Sequence, residues 1–118
     1  MEHKDIRIQF KIENRRYEAV GFLNEGEGPV SGSEMLKRTA GENGGVIGAD
    51  DGDFLSWRRD QFPQELQKYI LISNWENPGG PRWVSYFDYN IKDGWYYFFG
   101  HLDFTPFGNN VLVLRRCA

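Results

Sequence analysis

The chain has 118 residues, of which 40% are hydrophobic, 26% charged and 16% aromatic; its net charge is −3 and it has one cysteine. That length suits a single domain with its own hydrophobic core, and the aromatic content excludes a globally disordered chain. The lone Cys117 excludes an internal disulfide framework and fits a reducing compartment.

No charged-then-apolar leader opens the sequence, and no apolar run approaches the ~18 residues of a membrane span. A soluble, cytoplasmic protein without a membrane partner is the expectation. The charge is uneven. Between Asn24 and Asp53, seven acids (Glu25, Glu27, Glu34, Glu42, Asp50, Asp51 and Asp53) meet two bases, Lys37 and Arg38. Such a segment argues against nucleic acid as a partner, because phosphate contacts need Lys and Arg.

The first element is a hairpin. Ile6, Ile8, Phe10 and Ile12 alternate with Arg7, Gln9 and Lys11, the period of a strand with one buried face. A two-residue loop at Asn14-Arg15 would set Ile12 opposite Tyr17 and Phe10 opposite Ala19. Further on, Ser31-Gly32-Ser33-Glu34 reads as a capping box, with Val30 placed to pack on Met35. A short helix over Gly32–Ala40 follows, stopped by Gly41.

In the next segment Asp50 suits an N-cap and Asp53 the first turn of a second helix, with Phe54, Leu55, Trp57 and Phe62 as its apolar positions. Pro63 ends that helix and can open another helical turn as far as Lys68. The chain then turns to β structure: Tyr69 to Ile72, a turn at Asn77 to Pro81, a strand into Asn90, a hairpin turn over Lys92-Asp93-Gly94, the aromatic run Trp95 to Phe99, and Val111 to Leu114 after a loop from Thr105. The fold class is α+β: an N-terminal β-hairpin, two or three short helices, and a C-terminal antiparallel meander, possible also as a partly open, curled barrel.

Five consecutive aromatics raise the question of what covers them. With Asp93-Gly94 as a two-residue loop, Tyr89 faces Phe98 and Phe87 faces Gly100, and both faces of the pair are apolar. Burial on both sides makes the run a central strand. The alternative leaves tryptophan and tyrosine exposed as binding anchors, a role in which both are over-represented.

Little else carries chemistry. Asp50-Asp51-Gly52-Asp53 lacks the spacing of a calcium loop and reads as helix capping. Gly41 to Gly48 is glycine-dense without the Gly-Lys-Ser/Thr ending of a phosphate loop. One cysteine and two histidines supply no zinc set, and no metal or cofactor is expected. His101 and Asp103, two apart on a strand, share a face and could orient a proton transfer. Trp57 beside Arg58 and Arg59 could stack a base, although a helix surface is the simpler reading.

The stretch Phe62 to Ile70 followed by Asn77 to Gly80, FPQELQKYI and then NPGG, resembles a pattern of the SUKH superfamily, in which a helix leads into Leu-Pro, a Tyr and an Asn-Gly-Gly turn. The resemblance implies a relation to bacterial immunity proteins that bind and neutralise toxins. Phe62 stands where that pattern has Leu, and the hairpin here precedes the helices.

Two functions are therefore carried forward. One is a small non-enzymatic module that binds a protein partner, of the immunity or antitoxin kind or another copy of itself. The other is a small-ligand protein or enzyme with an aromatic-lined pocket around His101 and Asp103. The candidate binding residues are Trp83, Trp95, Tyr96, Tyr97, His101 and Asp103, and there is no catalytic or metal-ligating candidate.

Overall fold

Two aliphatic runs decide the arrangement of the sheet. In the computed structural model, which describes residues 2–40, 49–73, 83–102 and 106–117, six strands form one mixed sheet. They are β1 (Arg7–Ile12), β2 (Arg15–Val20), β3 (Ile70–Ser73), β4 (Trp83–Asn90), β5 (Gly94–His101) and β6 (Val111–Arg116), in the spatial order β1-β2-β6-β3-β4-β5. Two helices, α1 (Gly32–Thr39) and α2 (Ala49–Trp57), and three short 3₁₀ turns complete the described structure.

β6 lies in the middle, antiparallel to β2 and parallel to β3. Its sequence explains the position. Val111, Leu112, Val113 and Leu114 are all buried, with alternate residues on opposite faces, and a continuous aliphatic run is what a strand covered on both sides requires. Each such side chain contributes about 1.5–3 kcal/mol when fully buried, more than an edge position could return. The expected four-strand C-terminal meander therefore holds only for β3, β4 and β5; β6 crosses back to the centre. The sheet is open, with β1 and β5 as its edges, so the barrel alternative is excluded.

Each face has its own cover. On face A, Tyr17, Ala19, Leu71, Phe87, Trp95, Leu112 and Leu114 pack with Leu55 of α2 and with Phe62 and Leu66 from the turns after it. Phe62 spans the sheet, its ring edge-on to Phe10 of β1 at 5.8 Å and to Phe87 and Trp95 at 5.1 Å. On face B, Val20, Ile72, Val84, Val111 and Val113 pack with Met35 of α1 and with Leu102 and Phe107. Val30 and Phe107 exchange two backbone hydrogen bonds, which tie the segment before α1 to the one before β6.

Local expectations hold with adjustments. Ser31 Oγ accepts from the Glu34 N–H at 3.2 Å, one half of the capping box; the Glu34 carboxylate turns to Arg38 instead. α2 begins at Ala49, so Asp50 lies within the helix and is not its N-cap. After it come 3₁₀ turns at Arg59–Gln61 and Gln64–Leu66, the latter opened by Pro63, so the α-helices among the described residues number two. The hairpin loop is Glu13-Asn14, with Glu13 at a φ of 55°, and Phe10 faces Tyr17. That register differs from the expected one by two, an even number, so the apolar faces still coincide. The Gly41 stop, the Gly41–Gly48 run and the turn at Asn77 to Pro81 lie outside the described residues.

Candidate interaction edge

β5 pairs with β4 through a three-residue loop, Ile91-Lys92-Asp93, in place of the expected two-residue loop. Asn90 faces Gly94, and the Asp93 N–H donates to the Asn90 carbonyl at 3.2 Å. Gly94 takes a φ of 83°, a left-handed conformation that favours glycine. The register differs from the expected one by three. An odd slip exchanges the faces of one strand relative to the other: Tyr89 now faces Trp95 and Phe87 faces Tyr97 on face A, while Tyr86 faces Phe98 on face B.

On face A, Trp95 is buried, 5.1 Å from Phe62 and 5.4 Å from Tyr89. Tyr97 packs on Phe87 at 4.8 Å and on Phe99 at 5.4 Å, and burial pushes its phenol up to about 12. On face B, the Tyr86 and Phe98 rings stack with centroids 5.1 Å apart and planes 4° from parallel. Tyr86 lies over Gly100, where a Cβ would sit 2.4 Å from its ring. Tyr96 donates its hydroxyl to Asp93 at 2.6 Å, a bond that raises its pKa.

The candidate residues therefore separate. Trp95 and Tyr97 belong to the packed face and Tyr96 to the outer one. His101 ends β5 opposite the Trp83 backbone, and the Trp83 side chain and Asp103 lie outside the described residues. The aromatic run is an edge strand, not a central one. Among the described residues its more buried side is face A, through Trp95 and Tyr97.

Sequence reasoning did not mark Ile91, Phe98 or Phe99 as exposed, and it read Trp57 as helix surface. Among the described residues, five large apolar side chains are exposed: Ile91 at 88%, Trp57 at 84%, Tyr96 at 46%, Phe98 at 43% and Phe99 at 36%. All five lie on or beside the β5 edge. Tyr96, Phe98 and Phe99 are on the strand and Ile91 is in its loop; Trp57 lines a cleft of about 480 Å³ together with Tyr89, Asp93, Gly94 and Trp95. The signal for Trp57 was in the helix period. Residues two apart do not face each other on a helix, so with Leu55 buried, Trp57 points away from the core.

The other polar candidates serve the fold. Arg15 and Arg58 lie over the Phe54 ring, each 4.0 Å from its centre, and Arg58 also pairs with Glu13 at 2.7 Å. Arg59 donates Nε to the Trp95 carbonyl at 2.9 Å. Arg59 nevertheless lines the same cleft as Trp57. Within the acidic segment, Arg38 binds Glu27 at 2.9 Å and Glu34 at 3.0 Å and holds Glu27 down to about 2. Asp51 is buried and accepts the Tyr17 hydroxyl at 2.8 Å and Arg15 at 3.1 Å. Three of the seven acids are thus engaged internally.

The clefts lined by Trp57 and Trp95, by Phe10 and Tyr17, and by His3 and Leu23 do not include His101 in their walls. Among the described residues no group of three or more His, Cys, Asp or Glu side chains converges as a metal site, and no helix is long and apolar enough to cross a membrane. Burial raises the pKa of the Cys117 thiol. No family model, curated protein or solved structure matches the chain.

Proposed function

We propose that the chain is a small, non-enzymatic protein-binding module that takes its partner along the β5 edge. One observation carries the reading: every exposed large apolar side chain among the described residues lies on or beside that edge. Scattered apolar residues on a surface need no explanation, but a contiguous set marks an interaction site. Exposed tyrosine, tryptophan and phenylalanine are the residue types that anchor such contacts. The SUKH resemblance supports one partner class, a toxin held by its immunity protein.

Photocrosslinking tests the edge. With benzoylphenylalanine at position 98, irradiated cells are expected to give a discrete adduct, and with the same group at position 9 on the opposite edge they are expected to give none. No adduct at position 98, or equal adducts at both, would overturn the reading.

A further inference from the structure

We infer that the cleft beside the start of β5 receives an arginine side chain of the protein partner; this rests on reading the β5 edge as the binding region. The cleft, of about 480 Å³, lies where the end of α2 and the turn after it meet the β4–β5 hairpin. Its aromatic lining runs from core to solvent. Phe62 and Trp95 are buried with their rings 5.1 Å apart, Tyr89 is half-buried 5.4 Å from Trp95, and Trp57 is 84% exposed. Ring faces carry partial negative charge, and a cation laid over tryptophan or tyrosine is attracted to it.

The charges select the sign of the guest. Two carboxylates, Asp60 and Asp93, line the cleft against one guanidinium, that of Arg59. Arg59 is already engaged within the protein: Nε donates to the Trp95 carbonyl at 2.9 Å and Nη1 to the Ser56 carbonyl. Among the described residues Asp60 makes no hydrogen bond or ion pair. Asp93 gives one oxygen to the Tyr96 hydroxyl at 2.6 Å and pairs with no cation there. An anion would meet two carboxylates with one engaged arginine to offset them, whereas a cation finds both acids ready to accept.

The same molecule shows how such a guest is held. Arg15 and Arg58 each lie 4.0 Å from the centre of the Phe54 ring, and each also pairs with a carboxylate, Asp51 at 3.1 Å and Glu13 at 2.7 Å. An aromatic face with a carboxylate at its side is thus the setting in which this chain places its own arginines around α2. The cleft presents both kinds of group at the end of that helix, with acids that hold no cation among the described residues. Arginine suits it better than lysine, because a planar guanidinium can stack on a ring while its N–H groups reach a carboxylate.

Nuclear magnetic resonance titration of the full chain with N-acetylarginine amide is the first test, with N-acetylcitrulline amide as the neutral probe of the same shape. The arginine probe is expected to move the Trp57 indole and the Asp93 and Gly94 amide resonances saturably, with a dissociation constant on the order of 1–10 mM; the citrulline probe is not. Asp60→Asn should weaken binding about threefold and Trp57→Ala about tenfold. Glu65→Gln, at an exposed acid outside the lining, should leave it unchanged. No saturable shift, or an equal one with citrulline, would overturn the inference, the latter by showing that the rings take a neutral guest.

A second arm joins the cleft to the partner. With benzoylphenylalanine at position 98, Asp60→Lys should lower the adduct roughly fivefold or more, and Glu65→Lys, the same change of charge outside the cleft, should not. Near-ultraviolet circular dichroism shows whether each variant is folded. An undiminished adduct from Asp60→Lys would leave the β5 edge as a binding site and overturn the cleft's part in it. No adduct from the parent chain would overturn the edge reading and the partner with it, whatever the arginine probe does.

Discussion

The two edges of this sheet are built on opposite principles. β1 shows solvent Arg7, Gln9 and Lys11, and the same face continues inward as an ion ladder in which Glu18 of β2 lies between Arg7 at 3.7 Å and Arg115 of β6 at 3.0 Å. β5 shows Tyr96 and Phe98, and that face continues inward through the Tyr86 stack. Charged side chains on an edge discourage another strand from docking, so β1 is protected by its sequence and β5 is not. The difference also separates what holds each end: polar contacts near β1, aromatic packing near β5.

The largest expected effect breaks the β1 end. Asp51 fastens α2 to the hairpin by accepting from Tyr17 and Arg15, with Arg116 3.5 Å away. Burial, reinforced by the Asp51 bond, pushes the Tyr17 phenol up to about 12. Asp51→Ala leaves a buried hydroxyl without its acceptor and is expected to cost about 2–3 kcal/mol, a fall in melting temperature of roughly 10 °C. Asp51→Asn, which still accepts from Tyr17, should recover part of it. Thermal melts that left the Ala variant unchanged would show that the ladder, not Asp51, secures this end.

A smaller effect is expected from the β5 end. Gly100→Ala puts a methyl carbon 2.4 Å from Cε2 of Tyr86, and the ring must leave its stack with Phe98. Inserting a methyl into a packed contact costs about 1–3 kcal/mol, and the aromatic near-ultraviolet signal should change with it. An unchanged spectrum at native stability would mean that the stack does not hold the edge.

How far the sequence disclosed this contrast depends on which signal is followed. The alternation in β1 predicts both its buried and its charged face, and the capping serine and the α+β class were legible for similarly local reasons. The strand order was not. Consecutive strands usually neighbour one another, which favoured a meander, whereas the aliphatic runs of β3 and β6 were the stronger indication of central position. The expected faces of the aromatic strands turned on the length and place of one loop. A two-residue turn at Asp93-Gly94 would put Phe98 opposite Tyr89; the three-residue turn over Ile91, Lys92 and Asp93 puts it opposite Tyr86 and reverses the faces. Trp57 was legible from its offset to Leu55, but the edge that gives its exposure meaning emerges only from the pairing of distant strands.

The smallest effect sharpens the contrast through pH. His3 bridges three segments: Nδ1 accepts from the Phe22 and Leu23 N–H groups at 3.0 and 3.1 Å, and Nε2 donates to the Val111 carbonyl at 2.9 Å. Burial lowers its pKa from 6.5, against the Val111 bond, which raises it. Between the lowered value and 6.5 the unfolded chain binds more protons, so acid favours unfolding there. The contribution is complete above about 6.5 and is lost as the pH falls through the folded value. A proton on Nδ1 would face two N–H donors and displace the latch. Glu27, held down to about 2, stays ionised throughout this window and adds nothing to it. Hydrogen exchange at pH 5.5 and 7.5, corrected for intrinsic rates, should therefore show Phe22 and Leu23 losing protection in acid while Tyr86 and Phe98 keep theirs. In His3→Gln the difference between the two ends should vanish; an equal acid response at both would mean that polar and aromatic ends do not loosen separately.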